Sequence, residues 1–118
     1  MVGNGVEMIL GAKRDETFGP TVIFGVGGTN TEILRDFSLA VGQIDERRAK
    51  ELLDNVRLSP VLDGYRGGPR ASRAQIAKVV SSFSRILEEN RSIDQLEINP
   101  LIANKREVVA VDARTVLT

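Results

Sequence analysis

Cysteine and histidine are both absent from the 118 residues. Without them the chain cannot build a disulfide framework, a thiol nucleophile, a Cys/His zinc site or a Ser-His-Asp triad from its own side chains. Excess positive charge is absent too, since sixteen Lys and Arg balance sixteen Asp and Glu. Nucleic-acid affinity comes mainly from neutralising phosphates with a basic surface, so no nucleic-acid partner is expected. No apolar run approaches the ~20 residues that cross a bilayer, and no signal-peptide pattern is present, so no membrane partner is expected. The default expectation is a cytoplasmic protein. What remains is ordinary for a globular domain, with 42% hydrophobic and 27% charged residues. No repeat, low-complexity tract or linker divides the chain, and residues 1–118 are expected to form a single domain around one core.

The first forty residues read as strands and tight turns. Val6 to Ala12 is an apolar run of strand length, followed by a charged turn at Lys13-Arg14-Asp15-Glu16. Thr21-Val22-Ile23-Phe24 is β-branched and aromatic, and Gly19-Pro20 and Gly25, Gly27 and Gly28 bound it. A third strand is expected over Phe37 to Val41. Two helices follow, near Asp45–Val56 and Ser72–Glu89. Asp45 is the N-cap candidate of the first, with Ala49, Leu52, Leu53 and Val56 at helical spacing. Ser72 and Gln75 form a capping-box pattern for the second. Its stripe of Ile76, Val79, Val80, Phe83, Ile86 and Leu87 must bury against a sheet or another helix. The chain closes with a strand over Leu96–Ala103 and another over Val108–Arg114. The expected class is α+β, two helices covering a mainly antiparallel sheet.

The last two strands carry the chemistry. A loop at Asn104–Glu107 sets Ala103 against Val108, which puts Asn99 opposite Asp112 and Glu97 opposite Arg114. Side chains alternate with period two, so these four polar residues share a sheet face. Leu96, Ile98 and Ile102, with Val109, Val111 and Ala113, then form an apolar core face. An amide oxygen and a carboxylate ~5 Å apart can converge on one hard cation. The same four side chains would also serve as a solvated face with an Asn99–Asp112 hydrogen bond, and a bulge at Pro100 would slip the pairing by one. The glycines at 25, 27 and 28 have neither the Walker nor the Rossmann spacing and read as a tight turn. Lys13, Arg14, Arg66 and Arg70 read as surface of turns and loops.

Leu96-Glu97-Ile98-Asn99-Pro100-Leu101, followed by Val109-Ala110-Val111-Asp112-Ala113-Arg114, resembles the closing hairpin of the ATP-grasp ligases. The likeness is to the β-subunit type of NDP-forming acyl-CoA synthetases, including ADP-forming acetate–CoA ligase and, more distantly, succinyl-CoA synthetase. Val6 to Gly11, Phe18-Gly19-Pro20, Phe24 to Gly28, Glu32 to Asp36 and Gly64-Tyr65-Arg66-Gly67 extend it in order over nearly the whole chain. The resemblance implies one lobe of an ATP-grasp fold, the second, C-terminal one. It implies that Asn99 and Asp112 hold the Mg²⁺ of Mg-ATP and that Glu97 positions a phosphohistidine. Glu7 would contact the nucleotide ribose, and Val2 would fall near the adenine.

The reaction so implied is acid + CoA + ATP giving acyl-CoA + ADP + phosphate, or its reverse. The first lobe's glycine loop and lysine have no counterpart here, and the carrier histidine is missing. The chain is therefore expected to work with a first ATP-grasp lobe and with a CoA-binding domain or subunit that carries the phosphohistidine. It would be a fragment of a longer protein, a single lobe, or a subunit that needs another chain. Two other possibilities are a non-catalytic ATP-grasp-like binding or assembly module and a lobe of a different ATP-dependent ligase. Apolar surface that a missing lobe would cover favours self-association, with Met1-Val2 and the loop from Asp63 to Arg70 as its expected border.

Overall fold

The structure, a computed structural model, describes residues 5–27 and 36–117. Met1, Val2, Gly28 and residues 32–35 of the motif ending at Asp36 lie outside them. Along the chain run β1 (Val6–Asp15), β2 (Gly19–Val26), β3 (Phe37–Val41), α1 (Glu46–Asp54), a 3₁₀ turn (Ser59–Asp63), α2 (Arg73–Glu89), β4 (Ile93–Ala103), β5 (Val108–Ala110) and β6 (Ala113–Leu117). They form an antiparallel sheet in the order β3-β2-β1-β4-β5, with β6 also paired to β4. The expected α+β class is the observed one.

Alternation decides which face is covered. Met8, Leu10 and Ala12 of β1 and Val22, Phe24 and Val26 of β2 are buried in one cluster with Leu52 and Leu53 of α1 and Ile76, Val80 and Leu87 of α2. Both helices therefore lie on the same side of the sheet, and the other side stays uncovered by any described element. Both caps form as read. The Asp45 carboxylate accepts the Arg48 N–H at 2.8 Å, and the Ser72 hydroxyl accepts the Gln75 N–H at 3.2 Å. The reciprocal half of the capping box does not form: the Gln75 Nε2 donates to the Arg106 carbonyl, and its buried Oε1 accepts no hydrogen bond from the described residues.

The buried face of α2 is turned from the expected stripe. Ile76, Val80, Phe83 and Leu87 are buried, but Val79 is half-buried and Ile86 is 45% exposed. Ala77, Ser81 and Ser84 are buried in their place. Ser81 and Ser84 share a cleft with Asp45 and Glu46 at the start of α1, so the neighbouring helix claims that side of α2. An apolar count over one helix cannot see that neighbour.

The first turn also differs from the reading. β1 runs on to Asp15, whose carboxylate accepts the Thr17 N–H at 2.8 Å and the Phe18 N–H at 2.9 Å. The Phe18 and Thr17 amides hold this carboxyl below the usual aspartate value. Arg14 is no mere turn surface. Its guanidinium donates to the carbonyls of Leu87, Asn90 and Ile93, tying β1 to the C-terminus of α2, where the helix dipole favours a cation. Asp36 is likewise structural: it is buried, and it accepts the Arg57 N–H at 2.7 Å and the Leu58 N–H at 3.0 Å just after α1.

Arg73 clamps the start of α2 to the segment before it. It donates to Ser59 Oγ at 2.9 Å and to the Ser59 carbonyl at 2.8 Å, and it pairs with Asp54 and Asp63. Arg73→Met should destabilise the fold by about 1–2 kcal/mol, most of it from the part-buried bonds to Ser59, since exposed ion pairs contribute little. The Arg73 hydrogen bond holds the Asp63 carboxyl below its ordinary value. Its contribution is present above the unfolded pKa of about 3.9 and is lost as pH falls through the lower folded value. Urea melts of the two proteins at pH 7 and pH 3 should show a smaller difference in acid.

Candidate functional site

The polar positions of the last hairpin are set by a bulge in β4. Met8 pairs with Leu101 and Leu10 with Ile98, so Asn99 and Pro100 together face the single residue Ile9. The Asn99–Pro100 peptide is cis. The one-residue slip thus falls against β1, and the hairpin keeps its register on both sides of it, from Ala103↔Val108 to Leu96↔Thr115. Asn99 comes opposite Asp112, and its N–H donates to the Asp112 carbonyl at 3.0 Å. Across the same break the Val111 N–H donates to the Pro100 carbonyl at 3.1 Å.

The bulge corrects the expected core face. Leu96 and Ile98 pack against the core as read, but beyond Pro100 the core side passes to Leu101 and Ala103, with Val108 against it. Ile102 and Val109 are only half-buried, and Val111 is exposed. The partner strand breaks at the same level, between β5 and β6, so both strands change faces together. Asn99 and Asp112 sit at that break.

Glu97, Asn99, Asp112 and Arg114 line one polar pocket of about 280 Å³. Glu97 lies directly across from Arg114 in the register, and Arg114 Nε is 3.9 Å from Asp112 Oδ2. A hard divalent cation takes oxygen ligands and keeps positions for water and substrate. The amide oxygen of Asn99 and the carboxylate of Asp112 fit that demand as two ligands of a partial shell. Among the described residues no three His, Cys, Asp or Glu side chains cluster as a metal site. An ion held here would complete its shell with ligand oxygens and water.

Glu7 is exposed on β1, opposite Ile102, and does not line the pocket. By alternation it shares the uncovered face with Ile9 and Gly11. Val2 lies outside the described residues.

A second concavity was not anticipated. An apolar groove of about 580 Å³ runs over the uncovered face, lined by Ile9, Gly11, Ile23, Phe37, Leu39 and Val116 among others, with Lys13, Gln95, Glu97 and Arg114 as its polar lining. Gly11 needs no glycine for the fold: a Cβ there would meet nothing within 4 Å. A glycine in the middle of a central strand, with open space above it, marks a place where a ligand or another backbone can approach. That mid-strand glycine was the signal available in the sequence. The exposed apolar side chains Leu39 and Val116 belong to this groove, so exposed apolar surface is found well away from the expected 63–70 loop, where Tyr65 is exposed.

A family model for the ATP-grasp domain matches residues 1–117. The chain belongs to the ATP-grasp family. Its sheet with two helices on one face is an ATP-grasp lobe. Over 117 residues it is 36% identical to the acetate–CoA ligase [ADP-forming] I subunit beta of Pyrococcus furiosus, covering 99% of this chain and 50% of that one. It is 37% identical to a trans-feruloyl-CoA synthase of an unknown prokaryotic organism, covering 92% of this chain and 16% of that one. A solved structure of the acetyl-coenzyme A synthetase of Ca. Korarchaeum cryptofilum superposes with a TM-score of 0.91 at 38% identity, covering 97% of this chain and 54% of that one. That relative was captured with coenzyme A and Mg-AMPPCP, its phosphohistidine segment pointing towards the nucleotide site. This ATP-grasp lobe therefore spans about half the length of the β-subunit relative and about a sixth of the longer one. No described helix is long and apolar enough to cross a membrane.

Proposed function

We propose that this chain is the second, C-terminal ATP-grasp lobe of an ADP-forming acyl-CoA synthetase. The observation that carries the proposal is the meeting of Glu97, Asn99 and Asp112 around one pocket that adjoins an apolar groove. Asn99 and Asp112 are the residues that would hold Mg²⁺, which when bound offsets charge on the phosphates as the γ-phosphoryl group leaves. Glu97 would accept the N–H of a carrier imidazole brought from elsewhere in the enzyme, fixing its tautomer so that the other ring nitrogen faces the phosphoryl group. Glu7, on the same sheet face, would accept from the ribose hydroxyls, and Val2 would border the adenine. The groove would take the apolar part of the nucleotide.

The overall reaction is acid + CoA + ATP giving acyl-CoA + ADP + phosphate. The phosphohistidine would come from another domain or subunit, because this chain has no histidine, and CoA would be bound outside this lobe as well. A cytoplasmic setting goes with that role, where ATP and CoA are both at hand. The acyl acid is set outside this lobe. A relative named acetate–CoA ligase and one named trans-feruloyl-CoA synthase match it about equally well, at 36% and 37% identity.

The test is reconstitution. The 118-residue chain alone should show no acid- and CoA-dependent ADP release, because half a cleft cannot orient the triphosphate. Joined to a first lobe and a CoA-binding, histidine-bearing partner of the acetate–CoA ligase type, it should turn over. Robust turnover by the lone chain, or none from the complete assembly with any acid supplied, would contradict the proposal.

A further inference from the structure

The charge balance of the polar pocket leaves a gap that one residue fills. Glu97 and Asp112 bring two negative charges, Asn99 brings none, and Arg114 brings one positive charge. A divalent cation on Asn99 and Asp112 would only cancel the two carboxylates. A nucleotide's phosphates would then meet a neutral pocket, apart from Arg114, since Lys13 lines the groove but not the polar pocket. Its side chain is 80% exposed, and among the described residues its one ion pair is the 3.9 Å contact with Asp112. So long and exposed a pair is worth little and yields readily to a better partner. Arg114 also lines both the polar pocket and the apolar groove, as Glu97 does, so it stands where the two adjoin and is the cation common to both.

We infer that Arg114 is a phosphate-binding side chain of this site, parked on Asp112 and passed to a phosphoryl oxygen when that carboxylate takes its cation. The inference rests on the proposed nucleotide role of the pocket. It adds a residue to that role and an order: cation first, then guanidinium on phosphate. The planar fork of arginine suits phosphoryl oxygens, and Arg114 lies directly across from Glu97, so the group it holds is presented beside that carboxylate. Lysine would supply the charge without the fork.

Three variants in the assembled enzyme separate the possibilities: Arg114→Met, Arg114→Lys and Asp112→Asn. Free Mn²⁺ is titrated by electron paramagnetic resonance without nucleotide, and then ADP affinity is measured at saturating Mn²⁺. Arg114→Met should bind Mn²⁺ alone up to about fivefold more tightly, since the guanidinium no longer competes for Asp112. It should bind ADP about 10–100-fold more weakly, with Arg114→Lys between it and the parent protein. Asp112→Asn should lose Mn²⁺ binding. Unchanged ADP affinity in Arg114→Met, with Mn²⁺ binding still lost in Asp112→Asn, would overturn the role of Arg114 alone. Undiminished Mn²⁺ binding in Asp112→Asn would overturn the pocket as a cation site and this inference with it.

Discussion

Phe83→Ala should lower the stability of this lobe by roughly 3–5 kcal/mol, the cost of emptying a fully buried aromatic site. Phe83 is 2% exposed and sits in the cluster that joins α2 to the sheet and to α1. Ile86, three residues on, offers an internal control. At 45% exposure its replacement by alanine should change stability by no more than about 0.5 kcal/mol. Thermal or urea melts of the two variants side by side check the orientation of α2. Equal losses would mean that the helix buries the face first read from its apolar stripe.

Glu97→Gln should slow phosphoryl transfer to the carrier histidine by at least about 100-fold in the assembled enzyme. Mg-nucleotide affinity should stay close to that of the parent protein, because Asn99 and Asp112 remain in place. Glutamine keeps the size of the side chain but offers an imidazole N–H only a neutral amide oxygen. Rapid-quench measurement of phosphoenzyme, with nucleotide binding measured in parallel, separates the two effects. A parallel loss of binding would mean that Glu97 serves the nucleotide and not the histidine.

Local signals in the sequence went far with this lobe. Phe37–Val41 is a strand with the expected bounds, and Asp45 and Ser72 cap their helices. The hairpin register followed from the loop at 104–107 and held across seven pairs, from Ala103↔Val108 to Gln95↔Val116, before it slips at Ile93↔Leu117. That register is why Glu97, Asn99, Asp112 and Arg114 were legible as neighbours.

What local signals could not supply was the third dimension. Pro100 suggested a bulge, but only the strand on the other side of β4 shows that β1 absorbs the slip and that the core face changes there. Arg14 looked like turn surface because its partners, the carbonyls of Leu87, Asn90 and Ile93, lie more than seventy residues away. The 3₁₀ turn at Ser59–Asp63 is held by Arg73 from the next helix, a side-chain contact that no local pattern announces. The apolar groove is assembled from β1, β2, β3, β4 and β6, so it exists only once the strand order is known.

The most direct test of the account is phosphoenzyme formation across a Mg²⁺ titration in Asp112→Asn. The substitution removes one charged ligand while keeping the side-chain volume and the backbone bond between Asn99 and Asp112. If Asn99 and Asp112 hold the cation, the Mg²⁺ dependence moves to higher concentration by about 100-fold or more and the melting temperature stays nearly constant. Phosphoenzyme formed at the parent rate with the parent Mg²⁺ dependence would contradict that role, and would make the pairing of Asn99 and Asp112 a structural feature of the hairpin.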